Sequence, residues 1–203
     1  MPAAVKDRRQ ELLSLLAPTA IAERSAPVSL RQFAIKAGVS EPTLRHFFTD
    51  RRGVVTALIG YFADGARDFL AESAKPVSRL DDAVSGYGAL ALAGAQSPRF
   101  AQAHAFALVE SIHDPEVAKV YLEMIIEPSL RALESRLGPS VDPDGAAPDR
   151  VRHAALALYA PTLIAILHQQ LLKGDEVRPL DMAAFNADLT DLFTHGMQAK
   201  AAP

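Results

Sequence analysis

Glu110, His113 and Asp114 stand at i, i+3 and i+4, a spacing at which one helix can present metal ligands side by side. Asp114, however, directly precedes Pro115 and is better accounted for as the N-cap of the next helix. A di-metal helical bundle also needs a second such set from a facing helix, and the sequence holds none. Gly86-Tyr87-Gly88 lacks the third glycine and the preceding strand of a dinucleotide site, and there is no Gly-x-Ser-x-Gly, P-loop or His-Glu-x-x-His. The absence of cysteine removes thiol catalysis and zinc knuckles. An enzyme, in particular a helical-bundle metal enzyme, is therefore not expected, and neither is a metal or cofactor.

What the chain does offer is anion recognition. Arg51 and Arg52 follow Asp50 at the start of a helical pattern, where the helix dipole disfavours positive charge unless an anion neutralises it. Residues 1–60 carry nine basic and five acidic side chains, whereas residues 61–203 carry twelve and nineteen. A basic N-terminal segment joined to an acidic remainder marks the first segment as the one that meets a polyanion. The 203 residues, 49% of them hydrophobic, have ordinary globular composition and suffice for a real core. The N-terminus has no apolar signal-like run, and no stretch reaches the roughly 18 uninterrupted apolar residues of a membrane span. A cytoplasmic protein without a membrane partner is the expectation.

These residues need elements to position them, and every periodic stretch is helical. Leu12, Leu13, Leu15, Leu16, Ala20 and Ile21 recur at three- and four-residue steps, with Pro18 expected to kink or break that helix. Ser29-Leu30-Arg31-Gln32 fits a capping box opening a short helix to Ala37. Gly38 supplies a left-handed terminus and Val39 an apolar plug. Ser40, Glu41 and Pro42 then start a second short helix reaching Phe47. Asp50 caps a longer helix to about residue 70. Beyond Pro76, helices are expected at about 80–96, 99–112, 115–137, 149–173 and 181–198, which makes nine in all and no strand. Two short helices joined by Ala37-Gly38-Val39-Ser40 and flanked by longer ones describe a helix-turn-helix.

The run Ser29-Leu30-Arg31-Gln32-Phe33-Ala34-Ile35-Lys36-Ala37-Gly38-Val39-Ser40-Glu41-Pro42-Thr43-Leu44-Arg45-His46-Phe47-Phe48-Thr49-Asp50-Arg51-Arg52-Gly53-Val54 resembles the N-terminal domain of the tetracycline-repressor (TetR) family, over about residues 8–60. The resemblance implies an all-α chain: a three-helix helix-turn-helix DNA-binding domain at 1–60 and a helical effector-binding and dimerisation domain at 61–203. It further implies a repressor that binds double-stranded, pseudo-palindromic operator DNA as a homodimer and is released by a small, largely apolar effector. Carried over position by position, Ser29 caps its helix and touches phosphate. Ser40, Pro42 and Thr43 form the groove-facing start of the recognition helix, His46 lies on its exposed side, and Arg51 contacts phosphate. Leu44 and Phe48 are core. Arg45 stands where the family most often has a backbone-contacting tyrosine; an arginine there can pair with phosphate or reach a guanine edge. Pro18 and Ser25 are lesser departures from the family pattern.

In the second part, residues 154–167 are apolar nearly all round, and Phe185, Leu189, Leu192 and Phe193 share a helical face. With Leu163 and Leu167 they are the expected dimer surface, the competing reading being that both helices complete a monomer core. The Gly- and Ala-rich stretch at 83–96 lets helices approach closely or leaves a cavity. Tyr87, His104, Phe106, Glu110, His113 and Tyr121 are the candidate effector-binding residues, with Glu123 beside them. A constitutive DNA-binding dimer or adaptor without an effector is the alternative reading of the same fold.

Overall fold

The computed structural model describes residues 3–22 and 27–199; Ser25 lies outside them. Among the described residues there are twelve α-helices, one π turn and no strand. The helices are α1 (Ala3–Ala22), α2 (Leu30–Ala37), α3 (Glu41–Phe48), α4 (Arg51–Gly65), α5 (Arg67–Ser73), α6 (Leu80–Ala95), α7 (Pro98–His113), α8 (Pro115–Tyr121), α9 (Glu127–Val141), α10 (Pro148–Gln170), α11 (Gly174–Val177) and α12 (Met182–Ala199), with the π turn at Leu122–Ile126.

Twelve replace the expected nine because two long helices are subdivided and a short one is added. The expected helix from Asp50 to residue 70 breaks at Ala66, where ψ turns to 5°. The expected 115–137 helix is α8, the π turn and α9 in succession. Pro128 accounts for the second break, since it offers no N–H to the Met124 carbonyl and its ring crowds that oxygen. Gly174–Val177 forms the extra single turn. Pro18, by contrast, neither ends nor divides α1, which continues to Ala22. Ser14 and Pro18 are both exposed, so the carbonyl that loses its partner faces solvent. Leu15, expected on the apolar face of α1, is exposed, while Leu12, Leu13, Leu16 and Ala20 are buried.

The chain forms two compact units, and their boundary differs from the expected division at residue 60. The first unit comprises residues 1–66 together with 102–125, the second residues 67–101 together with 126–203. In the first unit Leu12, Leu16, Phe33, Leu44, Val54, Val55, Leu58 and Ile59 are fully buried, each worth about 1.5–3 kcal/mol of apolar transfer. The second unit is built around Ala83, Val84, Tyr87, Leu133, Leu137, Ala155, Leu158 and Ile166. Here the small residues of α6 serve close approach: a Cβ on Gly88 would lie 1.5 Å from the Asn186 side-chain oxygen on α12. Arg136 ties α9 to α6 through its Nε, which donates to the Ala83 carbonyl at 2.7 Å. α10 is long and apolar enough, by length and composition, to cross a membrane, but half of its most apolar window is buried inside the protein.

The joint between α3 and α4 is the tightest local feature of the first unit. Thr49 sits at φ 70°, ψ −57°, a positive φ that a β-branched residue adopts only under constraint. Around it Asp50 N–H donates to the Phe48 carbonyl at 2.8 Å, the strained form of the γ-turn. Asp50 then caps α4, accepting from Gly53 N–H at 2.8 Å. Gly53 packs so closely on the end of α3 that a Cβ there would lie 1.7 Å from the Phe48 carbonyl oxygen. Backbone, not a flexible side chain, would have to move. Gly53→Ala is therefore expected to destabilise the fold by about 3 kcal/mol or more. The control is Gly65→Ala, where nothing lies within 4 Å of the new Cβ and the change is expected to be neutral or slightly stabilising. Urea midpoints for the two variants measure this, and equal midpoints contradict it.

Candidate nucleic-acid interface

The helix-turn-helix is assembled by local hydrogen bonds. Ser29 Oγ accepts from Gln32 N–H at 3.2 Å while Ser29 N–H donates to Gln32 Oε1 at 2.8 Å, completing the capping box of α2. α2 ends in a left-handed Gly38 at φ 65°, with Val39 N–H bonded to the Ala34 carbonyl at 3.0 Å and Gly38 N–H to that of Ile35 at 3.2 Å. That is the Schellman pattern, which glycine adopts without a Cβ penalty. Ser40 Oγ accepts from Thr43 N–H at 3.2 Å and shares a 2.8 Å hydrogen bond with the Thr43 hydroxyl, which starts α3.

α3 buries Leu44 and Phe48 and leaves Pro42, Arg45 and His46 exposed, with Ser40 exposed at its start and Thr43 half-buried. Ser29 is exposed at the start of α2. Thus the helix presents a short polar and basic outer face. Arg45 lies 3.8 Å from the Glu41 carboxylate, and a surface pair of this kind contributes at most about 1 kcal/mol, so a stronger partner can take the guanidinium. Arg9 stacks its guanidinium 5.1 Å from the centre of the Phe48 ring and so holds α1 against α3.

Arg51 does something other than the resemblance implies. Its Nη2 donates to both Glu110 oxygens, at 2.6 and 2.8 Å, and its Nε donates to the Val28 carbonyl at 2.7 Å. Glu110 is only 2% exposed and the Arg51 side chain 32%. Withdrawing one partner from a buried pair costs about 3–5 kcal/mol, so leaving Glu110 behind to reach a phosphate is unfavourable. The anion that neutralises this helix start is internal. Next to it Arg52 Nε pairs with Asp114 Oδ2 at 2.6 Å. The hydrogen bond from Arg52 is the main cause holding the Asp114 carboxyl below its ordinary range. Asp114 also caps α8, accepting from Glu116 N–H at 3.0 Å. Glu110 and Asp114 thus each hold an arginine, and among the described residues no group of three potential ligands converges on a metal position.

The candidate effector residues are not gathered in one place. His104 and Tyr121 meet in the first unit, Nδ1 to hydroxyl at 2.7 Å, both buried. Phe106 is buried edge-on against Phe62, Glu110 serves Arg51, and His113 is exposed. Tyr87 belongs to the core of the second unit, where burial raises its hydroxyl pKa. Glu123 is exposed and lies 3.8 Å from Lys119. An open groove of about 400 Å³ in the first unit is lined by residues that include Arg9, Leu13, Tyr61, Asp64 and Met124. None of the six candidates lines it.

Of the candidate dimer residues, Leu167 is buried in the second unit's core, while Leu163, Leu189 and Phe193 are half-buried against it. Phe185 is half-buried and Leu192 is 74% exposed. Sequence periodicity did not single out the exposed Leu156 and Ile164 of α10, because an all-apolar stretch does not say which of its sides is outermost. Nor did it find Gly53 or the partnership of Arg51 with Glu110, which lie 59 residues apart. The sign of the second was visible as two cations at a helix start.

In three dimensions the chain is similar to a candidate TetR-family transcriptional regulator from Mesorhizobium loti, with a TM-score of 0.71 at 13% identity over 98% of each chain. It is also similar to the fatty acid degradation regulator FadR from Bacillus halodurans, with a TM-score of 0.63 at 14% identity, covering 92% of this chain and 97% of the other. No family model and no curated protein matches the sequence. The fold is therefore the all-helical fold of TetR-like regulators.

Burial depresses the His104 pKa to about 4 from 6.5, so the folded chain holds this ring neutral while the unfolded chain protonates it below about pH 6.5. The folded value is the lower one, so the contribution to stability is full above pH 6.5 and is lost as pH falls towards 4. About 2 kcal/mol should disappear between pH 7 and pH 5 through this group alone. Urea unfolding of wild type and His104→Gln at both pH values measures it, the variant being expected to lack that part of the pH dependence. Identical pH dependence in the two chains contradicts the assignment.

Proposed function

We propose that the chain is a DNA-binding transcription regulator, a repressor that binds a pseudo-palindromic operator as a homodimer and is released by a small, largely apolar effector. The observation that carries this reading is the outer face of α3. Pro42, Arg45 and His46 are exposed beside the Ser40–Thr43 cap, on a short helix held rigidly behind by Leu44 and Phe48. A helix so presented, with its N-terminal side chains outward, is what the major groove admits. Ser29 adds a hydroxyl and the α2 N-terminus for phosphate.

Dimerisation is supported by apolar side chains left uncovered on the second unit: Leu156 and Ile164 on α10, at 51% and 62% exposure, and Leu192 on α12. A second copy covers such a surface isologously, as a four-helix contact. The effector rests on the fold likeness, one structural neighbour being a fatty acid degradation regulator. A constitutive DNA-binding dimer is the second reading. It is favoured by the commitments of the candidate effector residues, since His104 bonds Tyr121, Glu110 bonds Arg51 and Tyr87 is in a core.

Fluorescence anisotropy with DNA from immediately upstream of the coding region, against a scrambled fragment at several salt concentrations, tests the reading. With about six phosphates neutralised by two copies, log affinity should fall with log salt at a slope of about −5. Arg45→Ala is expected to weaken binding at least about tenfold, equivalent to 1.4 kcal/mol. A loss uniform across operator variants makes Arg45 a phosphate ligand, and a relaxed preference at one base pair makes it a reader of base edges. Affinity unchanged by Arg45→Ala contradicts the assignment of α3.

A further inference from the structure

We infer that Glu110 is a positioning residue for DNA recognition: through Arg51 it fixes the first turn of α4, and with it the attitude of α3. The inference rests on the DNA-binding reading and assigns to Glu110 a part in it that touches no DNA.

Arg51 bridges three segments of the first unit. It stands in the first turn of α4, its Nη2 is held by both oxygens of Glu110 on α7, and its Nε is held by the Val28 carbonyl just ahead of α2. A guanidinium donates to carboxylate and carbonyl in a fixed fork, so the three segments are set in angle as well as in distance. From α4 the constraint passes to α3 through a joint with little freedom. Gly53 lies against the Phe48 carbonyl, Thr49 is locked at positive φ, and Asp50 is bonded both to Phe48 and to Gly53. From Val28 it passes to α2, whose N-cap is the next residue. Both helices of the helix-turn-helix are thus referred to one buried carboxylate.

The second arginine shows the contrast. Arg52 and Asp114 form a pair whose arginine is more than half exposed, and it can exchange its partner for a phosphate. Arg51 cannot do so without abandoning a carboxylate closed off from solvent. It therefore brings no free charge to the DNA, and its removal should not reduce counterion release.

The experiment uses the full chain, with wild type, Glu110→Gln, Arg51→Lys and Arg51→Ala, at a temperature where circular dichroism shows each variant folded. Binding to the upstream fragment and to its scrambled counterpart is measured at several salt concentrations. Arg51→Lys is the informative variant, because lysine keeps the charge and can serve a phosphate but cannot bridge Glu110 and Val28 in a fork. All three variants should lose at least about tenfold in preference for the specific fragment, with the salt slope within about half a unit of wild type. Hydrogen exchange without DNA provides a second readout: amides across residues 28–53 should exchange at least about tenfold faster in Glu110→Gln.

Three results overturn the inference alone: selectivity retained in Glu110→Gln and Arg51→Lys, a slope flattened by about one in Arg51→Ala, or unchanged exchange across 28–53. The slope result would make Arg51 a direct phosphate ligand. A wild-type chain that treats both fragments alike, and selects no sequence from random DNA, overturns the DNA-binding reading and this inference with it.

Discussion

Two arginines at the first turn of a helix are a liability, because the unsatisfied N–H groups there already carry positive partial charge. The first unit resolves it with carboxylates. Glu110 is buried against Arg51 and Asp114 lies at the surface against Arg52, and much of the unit's geometry follows from keeping these contacts. Residues 102–125 must pack with residues 1–66 for the carboxylates to be in reach, which is how the two compact units are divided. The burial of Glu110 makes its pair hard to break, whereas the exposure of Arg52 makes its pair labile. The same chemical contact, made twice in adjacent positions, therefore serves rigidity in one case and exchange in the other.

That rigidity matters because α3 is short. Eight residues are too few to form a stable helix in isolation, so its form and attitude depend on what holds its inner face and its ends. Leu44 and Phe48 supply the inner face, the Ser40–Thr43 cap the start, and the Thr49 turn with Gly53 the end. Its outer face is then free of structural duty. Pro42, Arg45 and His46 contribute little to the fold as far as their exposure shows, which leaves their identities available for recognition.

What could be read from the sequence was local. The Ser29–Gln32 box, the Gly38 terminus, and the Ser40, Asp50 and Asp114 caps each depend on residues within five positions of one another, and all form as their side chains dictate. The all-helical class followed from periodicity for the same reason. What could not be read was long-range. Arg51 announced a need for an anion without saying whether a phosphate or a carboxylate 59 residues away would meet it. Gly53 and Gly88 look like any helical glycine until Phe48 and Asn186 are in place. The proposed effector residues fared poorly because a polar side chain on an apolar helix has many possible partners. His104 found Tyr121 and Glu110 found Arg51.

The central claim is that the outer face of α3 reads DNA while the Arg51–Glu110 pair holds it in place. Selection of the full chain's binding sites from random double-stranded DNA, run in parallel with Arg45→Ala, tests it most directly. The account predicts an enriched inverted repeat whose half-sites lie about one helical turn apart, roughly 34–36 Å. It further predicts that the enriched sequence weakens or loses definition when Arg45 is removed. No enrichment by the wild-type chain, or an identical motif from the variant, would contradict it.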